Sequence, residues 1–324
     1  MINDEEMKSH RATHNSTLVH LAAGGVAGTV GAVVTCPLEV IKTRLQSSIP
    51  VFKHVSCLPG HATLSIAIEK VPMGVIACTK HIVKTEGAKS LFRGLCPNLV
   101  GVAPSRAIYF TAYAKTKSLL NKSGLLRQDS SSVHMLSGLS AGVASSTATS
   151  PIWVIKTRLQ LDSSVVHKIG VPDSIKEIYM KDGLRGFYRG LSASYFGVTE
   201  TVIHLVIYEK IKAKINHYRR SGKGGFYDKP RFETFFEYML AAGVSKSIAC
   251  TLTYPHEVVR TRLRQFEHDG KRRYYSFMQT LLKVGFEEGA RGLYGGLSTQ
   301  LIRQIPNTGI MFLTYEIILS FFES

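Results

Sequence analysis

Three stretches of the chain are almost free of charge: Leu18–Cys36, Val133–Trp153 and Met239–Tyr254. The first two contain one histidine each and no formal charge, and the third is interrupted only by Lys246. Apolar runs of ~20 residues have the length of membrane-spanning helices. Their glycine, alanine and serine content suits close helix packing in a membrane. Gly24 and Gly28, like Gly138 and Gly142, stand four apart on one helix face. Tightly packed soluble helices also use small residues, but recurrence at a fixed interval favours the membrane reading.

Around each run the pattern predicts the same three elements. The first set is a long helix from about Thr17 to Ser47, a short amphipathic helix Met73–Lys84 and a long helix Pro97–Asn121. The second is Ser132–Leu161, Ser174–Lys181 and Ser192–Tyr218; the third is Phe232–Phe266, Tyr275–Glu287 and Ser298–Phe322. The expected fold is an all-α membrane protein of three tandem repeats, covering 17–122, 132–218 and 232–322. A polar tail (1–16), a low-pattern loop (about 47–71) and a basic linker (219–231) complete the chain. Six spans put both termini on one side, and because loops on both faces are basic, positive-inside counting does not orient them.

Two motifs recur in phase with these elements. One reads Pro37, Glu39, Lys42, Arg44, Gln46; then Pro151, Trp153, Lys156, Arg158, Gln160; then Pro255, Glu257, Arg260, Arg262, Arg264. The other pairs an acid and glycine with an aromatic–Arg–Gly turn: Glu86-Gly87 with Phe92-Arg93-Gly94, Asp182-Gly183 with Tyr188-Arg189-Gly190, and Glu288-Gly289 with Tyr294-Gly295-Gly296. A triplicated unit implies a pseudo-threefold axis. Proline inside a helix removes a hydrogen bond and kinks it, so Pro37, Pro151 and Pro255 bend three helices at one level. An acid and a base three residues apart share a helix face. Around the axis the acid of one helix then meets the base of another, as Glu39–Lys156 and Glu257–Lys42. Trp153 replaces the second acid, which leaves Arg260 without an acidic partner. Trp153 either offers Arg260 a cation–π contact or only packs at the helix crossing.

The net charge is +17, which calls for an anionic partner: nucleic acid, anionic lipid or a phosphorylated solute. Cys36, Cys57, Cys78, Cys96 and Cys250 lack paired spacing, against both a disulfide framework and a zinc site. No nucleophile–base pair, metal cluster or phosphate-binding glycine loop stands out, so neither enzymatic activity nor a cofactor is expected. A soluble nucleic-acid-binding helical protein explains the charge but not the apolar repeats, and no stable nucleic-acid complex is expected. Ionisable residues within spans usually face a cavity. Arg106, Glu200, His204, Lys246 and Arg303 qualify, with Gln304 and Asn307 beside Arg303. Guanidinium and ammonium groups suit phosphate, whereas Glu200, Gln304 and Asn307 suit a base edge or ribose. Arg106 and His204 are equally suited to helix–helix hydrogen bonds.

The triplicated motifs resemble those of the mitochondrial carrier family across nearly the whole chain from Thr17. The resemblance implies six tilted helices around a cavity in the mitochondrial inner membrane, alternating access and a functional monomer. It implies a matrix gate of Glu39, Lys42, Trp153, Lys156, Glu257 and Arg260, braced by Gln46 and Gln160, with Arg264 departing from the brace. It also implies a cytoplasmic gate, of which Lys117, Glu209, Lys212 and Glu316 remain; Ala114 and Leu319 break the pattern. Cardiolipin is implied near Gly94, Gly190 and Gly296, more weakly at the third because Gly295 replaces arginine. Four strings resemble the pyrimidine nucleotide carrier branch: Leu99–Phe110 (with Gly101 and Arg106), Pro151–Trp153, Glu200–His204 and Arg303–Asn307. That branch implies nucleotide cargo, whereas the Pro-Ile-Trp variant is shared with carriers of NAD, FAD and folate.

With only two acids and two bases left, the cytoplasmic gate forms at most two pairs. Replacing Glu316 should therefore slow exchange in liposomes less than replacing Glu39 or Glu257, and equal losses would refute the partial-gate reading.

Overall fold

A computed structural model of the chain describes residues 4–47, 54–55, 66–67, 74–124, 127–128, 130–162, 169–220, 231–265 and 273–323. The first repeat contains α1 (Asp4–Gln46), α2 (Val75–Glu86) and α3 (Leu95–Ser123). The second contains α4 (Ser131–Leu161), α5 (Val171–Asp182) and α6 (Leu191–Arg220). The third contains α7 (Arg231–Thr253), α8 (Pro255–Arg264), α9 (Phe277–Leu293) and α10 (Leu297–Glu323). Apart from α7 and α8, the shortest of the long helices is α10 at 27 residues. At 1.5 Å per residue that is ~40 Å, longer than the ~30 Å hydrocarbon core of a bilayer.

Several expected boundaries move. The polar tail is not separate from the first span, because α1 begins at Asp4. Within the expected loop, His54–Val55 pairs antiparallel with Ile66–Ala67. Arg219 and Arg220 of the expected linker extend α6, and 221–230 lie outside the described residues. Of the three helices that carry the motif prolines, α1 and α4 run unbroken through Pro37 and Pro151. The third divides at Tyr254. Pro255 has no N–H to offer the Thr251 carbonyl, which instead accepts from the Tyr254 N–H at 3.4 Å. Only two described segments, Gly24–Gln46 and Val171–Tyr218, meet a length-and-apolarity criterion for spans, whereas six were expected. Helices such as α4, rich in serine and carrying Lys156 and Arg158, dilute the apolar average with side chains that turn inward.

The long helices form a closed ring. Helix α3 packs on α4, α6 on α7, and α10 returns to α1; α1–α3 and α4–α6 contacts join these pairs, and Leu297 of α10 closes the last joint on Cys250 of α7 and Val258 of α8. At one end α1, α4 and α8 also meet each other. Here each repeat builds the same small core. Ile41 packs with Cys78 and Ile82, Ile155 with Val154, Leu159 and Ile178, and Val259 with Leu263 and Val284. In each, the residue four after the proline meets the residue four before the acid of the second motif. Fully burying such side chains contributes ~1.5–3 kcal/mol each. On the outer side of α7, Leu240, Val244, Ile248 and Leu252 are exposed at a four-residue spacing, an unpartnered apolar stripe.

The second-motif glycines fasten one repeat to the next. Gly94, Gly190 and Gly296 have φ of 77°, 75° and 80°. A Cβ on Gly94 would come within 3.1 Å of the Lys156 carbonyl; on Gly190, within 3.2 Å of the Arg260 carbonyl; on Gly296, within 3.0 Å of the Lys42 carbonyl. Repeat one thus touches two, two touches three, and three touches one. Gly124 is also left-handed (φ 65°, ψ 2°) but has nothing within 4 Å. Gly94→Ala should therefore lower the melting temperature of the purified protein clearly more than Gly124→Ala. Both carry the ~1–2 kcal/mol penalty of the left-handed backbone, but only the first adds a clash.

Candidate functional site

One turn beyond the prolines, two ion pairs cross between repeats. The Lys156 ammonium donates to Glu39 of α1 and, at 2.9 Å, to Asn98 of α3. Lys42 of α1 lies 2.6 Å from Glu257 of α8. These are the two pairs expected from the repeat order. The rest of the ring differs from expectation. Arg260 is not left without an acid: its guanidinium reaches Glu257 of its own helix at 3.4 Å. Arg303, expected to face the cargo, contacts Glu39 at 3.5 Å. Two carboxylates therefore hold four cations. Trp153 serves Lys156, whose ammonium lies 5.0 Å from the ring centroid, rather than Arg260. Its indole N–H donates to the Thr149 hydroxyl at 2.8 Å, and a Cβ on Gly101 would come within 3.4 Å of its ring. Gly101 is thus a seat for the indole.

Beneath the pairs, the glutamines tie helices together through hydroxyl groups. Gln46 donates to the Tyr254 hydroxyl at 2.9 Å and accepts from Thr261 at 2.7 Å. Gln160 meets the Thr43 hydroxyl at 2.9 Å. Arg264, at the third brace position, instead donates to Ser194 at 3.2 Å and to the Arg189 carbonyl at 3.4 Å.

A deeper layer escaped the sequence reading. Arg44, Arg158 and Arg262, the second bases of the first motif, are all buried. Each pairs with the acid of the second motif in its own repeat: Arg44 with Glu86 at 2.5 Å, Arg158 with Asp182 at 3.8 Å and Arg262 with Glu288 at 2.5 Å. Each also donates through Nε to the C-terminal end of the proline-motif helix of the next repeat (α4, α8 and α1 in turn), where carbonyls lack helical partners. Arg44 reaches the Gln160 carbonyl at 2.8 Å, Arg158 the Arg264 carbonyl at 3.3 Å and Arg262 the Gln46 carbonyl at 2.7 Å. The signal was available in the fixed order of the two motifs: each second base is followed by one acid of the second motif in its own repeat, at separations of 42, 24 and 26 residues. Arg93 adds a cross-repeat bridge to Asp162 at 3.0 Å, and Arg189 pairs with Asp182 of its own repeat at 2.7 Å.

Around the pairs lies a cavity of about 290 Å³ whose walls include Glu39, Lys42, Lys156, Trp153, Arg260 and Arg303, with Gln46, Gln160 and Arg264 beneath them. An adjoining space of about 210 Å³ is lined by Glu200, Thr201 and Glu257, and it shares Ser146, Ser194 and Arg260 with the first. Glu200 holds Lys246 across α6 and α7 at 2.5 Å. One turn on, the His204 Nε2 is buried without a hydrogen-bond partner. Gln304 follows Arg303 on α10, and Asn307 lies 3.7 Å from the Met311 sulfur. Arg106 is exposed, and no contact joins it to either group among the described residues. Of the predicted substrate residues, Arg303 lines the first space and Glu200 the second; Lys246 pairs with Glu200, and Gln304, Asn307 and Arg106 are not among the residues lining either space.

At the far end, Lys212 lies over the rings of Tyr208 and Tyr238, at 5.9 Å and 5.3 Å. Lys117 and Glu209 engage other groups within the fold, and the side chain of Glu316 lies outside the described residues. On the outer surface a cleft of about 410 Å³ runs past Arg185, Arg189 and Gly190 to Leu263 and Tyr274.

Comparison with known proteins agrees with this architecture. The family description "Mitochondrial carrier protein" matches residues 13–124, 127–219 and 232–324. Solute carrier family 25 member 36 of Mus musculus is 51% identical over 311 residues, 94% of this chain and 98% of that protein. Solute carrier family 25 member 33 of Homo sapiens is 45% identical over 315 residues, 95% and 96% of the two chains. The mitochondrial pyrimidine nucleotide transporter RIM2 of Saccharomyces cerevisiae is 39% identical over 323 residues, 93% and 85% of the two. Three in-phase matches, one on each repeat of the closed ring, establish that the chain belongs to the mitochondrial carrier family.

Proposed function

We propose that the chain exchanges pyrimidine nucleotides and deoxynucleotides between cytosol and matrix, as a monomeric carrier of the mitochondrial inner membrane. In this reading α1, α3, α4, α6, α7–α8 and α10 span the bilayer as a pseudo-threefold barrel, and α2, α5 and α9 lie on the matrix side. The units 17–122, 132–218 and 232–322 are its three repeats. The exposed stripe on α7 supports lipid contact. The observation that carries the cargo assignment is a cation-rich cavity ending on a closed ion-pair ring, together with the resemblance to a pyrimidine nucleotide transporter along 93% of the chain.

The mechanism follows from the pairs. With α1, α4 and α8 joined by Glu39–Lys156 and Glu257–Lys42, the matrix end is shut and the cavity opens toward the cytosol. Nucleotide phosphates compete with Glu39 for Arg303 and with Glu200 for Lys246, since guanidinium and ammonium bind phosphate strongly. Glu200, once released, joins Gln304 and Asn307 in hydrogen-bonding the base or sugar, with Arg106 and His204 as further contacts. Removing Arg303 from Glu39 weakens one side of the ring, and the bound substrate thereby lowers the barrier to opening. Trp153 on Gly101 sets the width of the passage. Lys117, Glu209, Lys212 and Glu316 close the cytoplasmic end in the alternate state. The outer cleft at Gly190, with the equivalent turns at Gly94 and Gly296, takes cardiolipin phosphates at helix N-termini.

Exchange by the purified protein in liposomes loaded with UTP, CTP, GTP, ATP, NAD or folate tests the assignment. UTP and CTP should exchange fastest. Preference for NAD or folate without pyrimidine nucleotide exchange would overturn it. Lys156→Glu should reduce exchange at least ~10-fold, because truncating or reversing one member of a buried pair costs ~3–5 kcal/mol. Combining it with Glu39→Lys should restore part of the rate.

A further inference from the structure

The three junctions of the gate are not equal. Between repeats one and two, Lys156 reaches Glu39; between three and one, Lys42 reaches Glu257. Between two and three no motif carboxylate crosses, because Trp153 occupies its place; the pair that does cross, Glu200 with Lys246, is made elsewhere on α6 and α7. That junction instead contains Arg260 and Arg264, one helical turn apart on α8, and both line the cavity. Arg264 is only 6% exposed, and no carboxylate lies within ion-pair distance of it among the described residues. Its hydrogen bonds, to the Ser194 hydroxyl and the Arg189 carbonyl, are long and go to neutral oxygens. A buried guanidinium without a counter-charge is costly. The other two repeats avoid that cost with a neutral glutamine at this position, Gln46 and Gln160.

We propose that Arg264 and Arg260, with the Ser194 hydroxyl, form a phosphate subsite at the base of the cavity, and that an anionic phosphate group there supplies the negative charge missing from the second repeat. Resting on the nucleotide reading above, the subsite takes the distal phosphates of a di- or triphosphate, whose base remains near Glu200 and Gln304. The cargo then completes the gate electrostatically. Once it leaves, Arg260 and Arg264 confront each other across one turn. A nucleoside monophosphate that engages Arg303 does not extend to this junction.

The test uses the full-length protein purified in detergent, with inorganic pyrophosphate as probe. Its melting temperature should rise saturably with pyrophosphate. In Arg264→Gln, which installs the residue carried by the other two repeats, the half-saturating concentration should increase at least ~10-fold, with the unliganded melting temperature maintained or raised. Arg260→Gln should act in the same direction. Trp153→Glu, which supplies a fixed carboxylate, should raise the KM for UTP and CTP in liposomes more than that for UMP and CMP. Cardiolipin added to the micelles distinguishes a lipid headgroup. Its own stabilisation should persist in Arg264→Gln and should not displace pyrophosphate. An unchanged pyrophosphate response in Arg264→Gln, no response in the unsubstituted protein, or displacement by cardiolipin would each overturn the subsite. If the pyrophosphate response is lost in Arg264→Gln while no pyrimidine nucleotide is exchanged, the cargo assignment fails and the subsite stands.

Discussion

Burying an arginine is tolerable only when every face of its guanidinium is satisfied, and three such arginines hold this molecule in register. Arg44, Arg158 and Arg262 each join an acid of their own repeat to the open carbonyl end of α4, α8 and α1, respectively. The first contact makes each repeat a unit of long helix, short helix and long helix. The second turns three units into a closed ring. The glycines at 94, 190 and 296 follow the same cyclic order, letting α3, α6 and α10 begin against α4, α8 and α1. Opening this end must break the contacts between repeats, but it can leave those within a repeat intact. The rigid unit for motion is therefore the repeat.

On this frame the gate is asymmetric. The junction of repeats one and two carries the most bonds, with Lys156 on Glu39 and Asn98, Thr43 against Gln160, and Arg93 on Asp162. The junction of three and one has Lys42 on Glu257 and Gln46 between Tyr254 and Thr261. The junction of two and three has Arg158 on the Arg264 carbonyl at 3.3 Å, and the ion pair that crosses it, Glu200 with Lys246, is made outside the ring of Glu39, Lys42, Lys156 and Glu257. A threefold scaffold carrying a substrate that is not symmetric requires such differences. They are concentrated where Trp153 and Arg264 depart from the repeat.

Much of this was legible before any coordinates. Six long helices, three short ones and the pairs Glu39–Lys156 and Glu257–Lys42 follow from apolar period and motif phase. The belt of Arg44, Arg158 and Arg262 was equally encoded. It was missed because the reading matched each acid only with the first base of its motif. Arg303 was read as a cargo residue from its place within an apolar span. Nothing in its spacing indicates that α10 returns beside α1 and delivers it to Glu39.

The sequence by itself determined the triplication, the helices and the kind of charge at each motif position, because these depend on local periodicity and on covalent spacing. Tertiary structure alone decided the contacts beyond the two pairs that the motif order predicts. Whether Trp153 shields Lys156 or Arg260, whether Arg260 finds an acid, and which cation shares Glu39 all depend on distances of a few ångströms between helices remote in the chain. Coulomb and hydrogen-bond energies change by whole kilocalories over such distances. Ring closure, a property of the packed helices together, sets them.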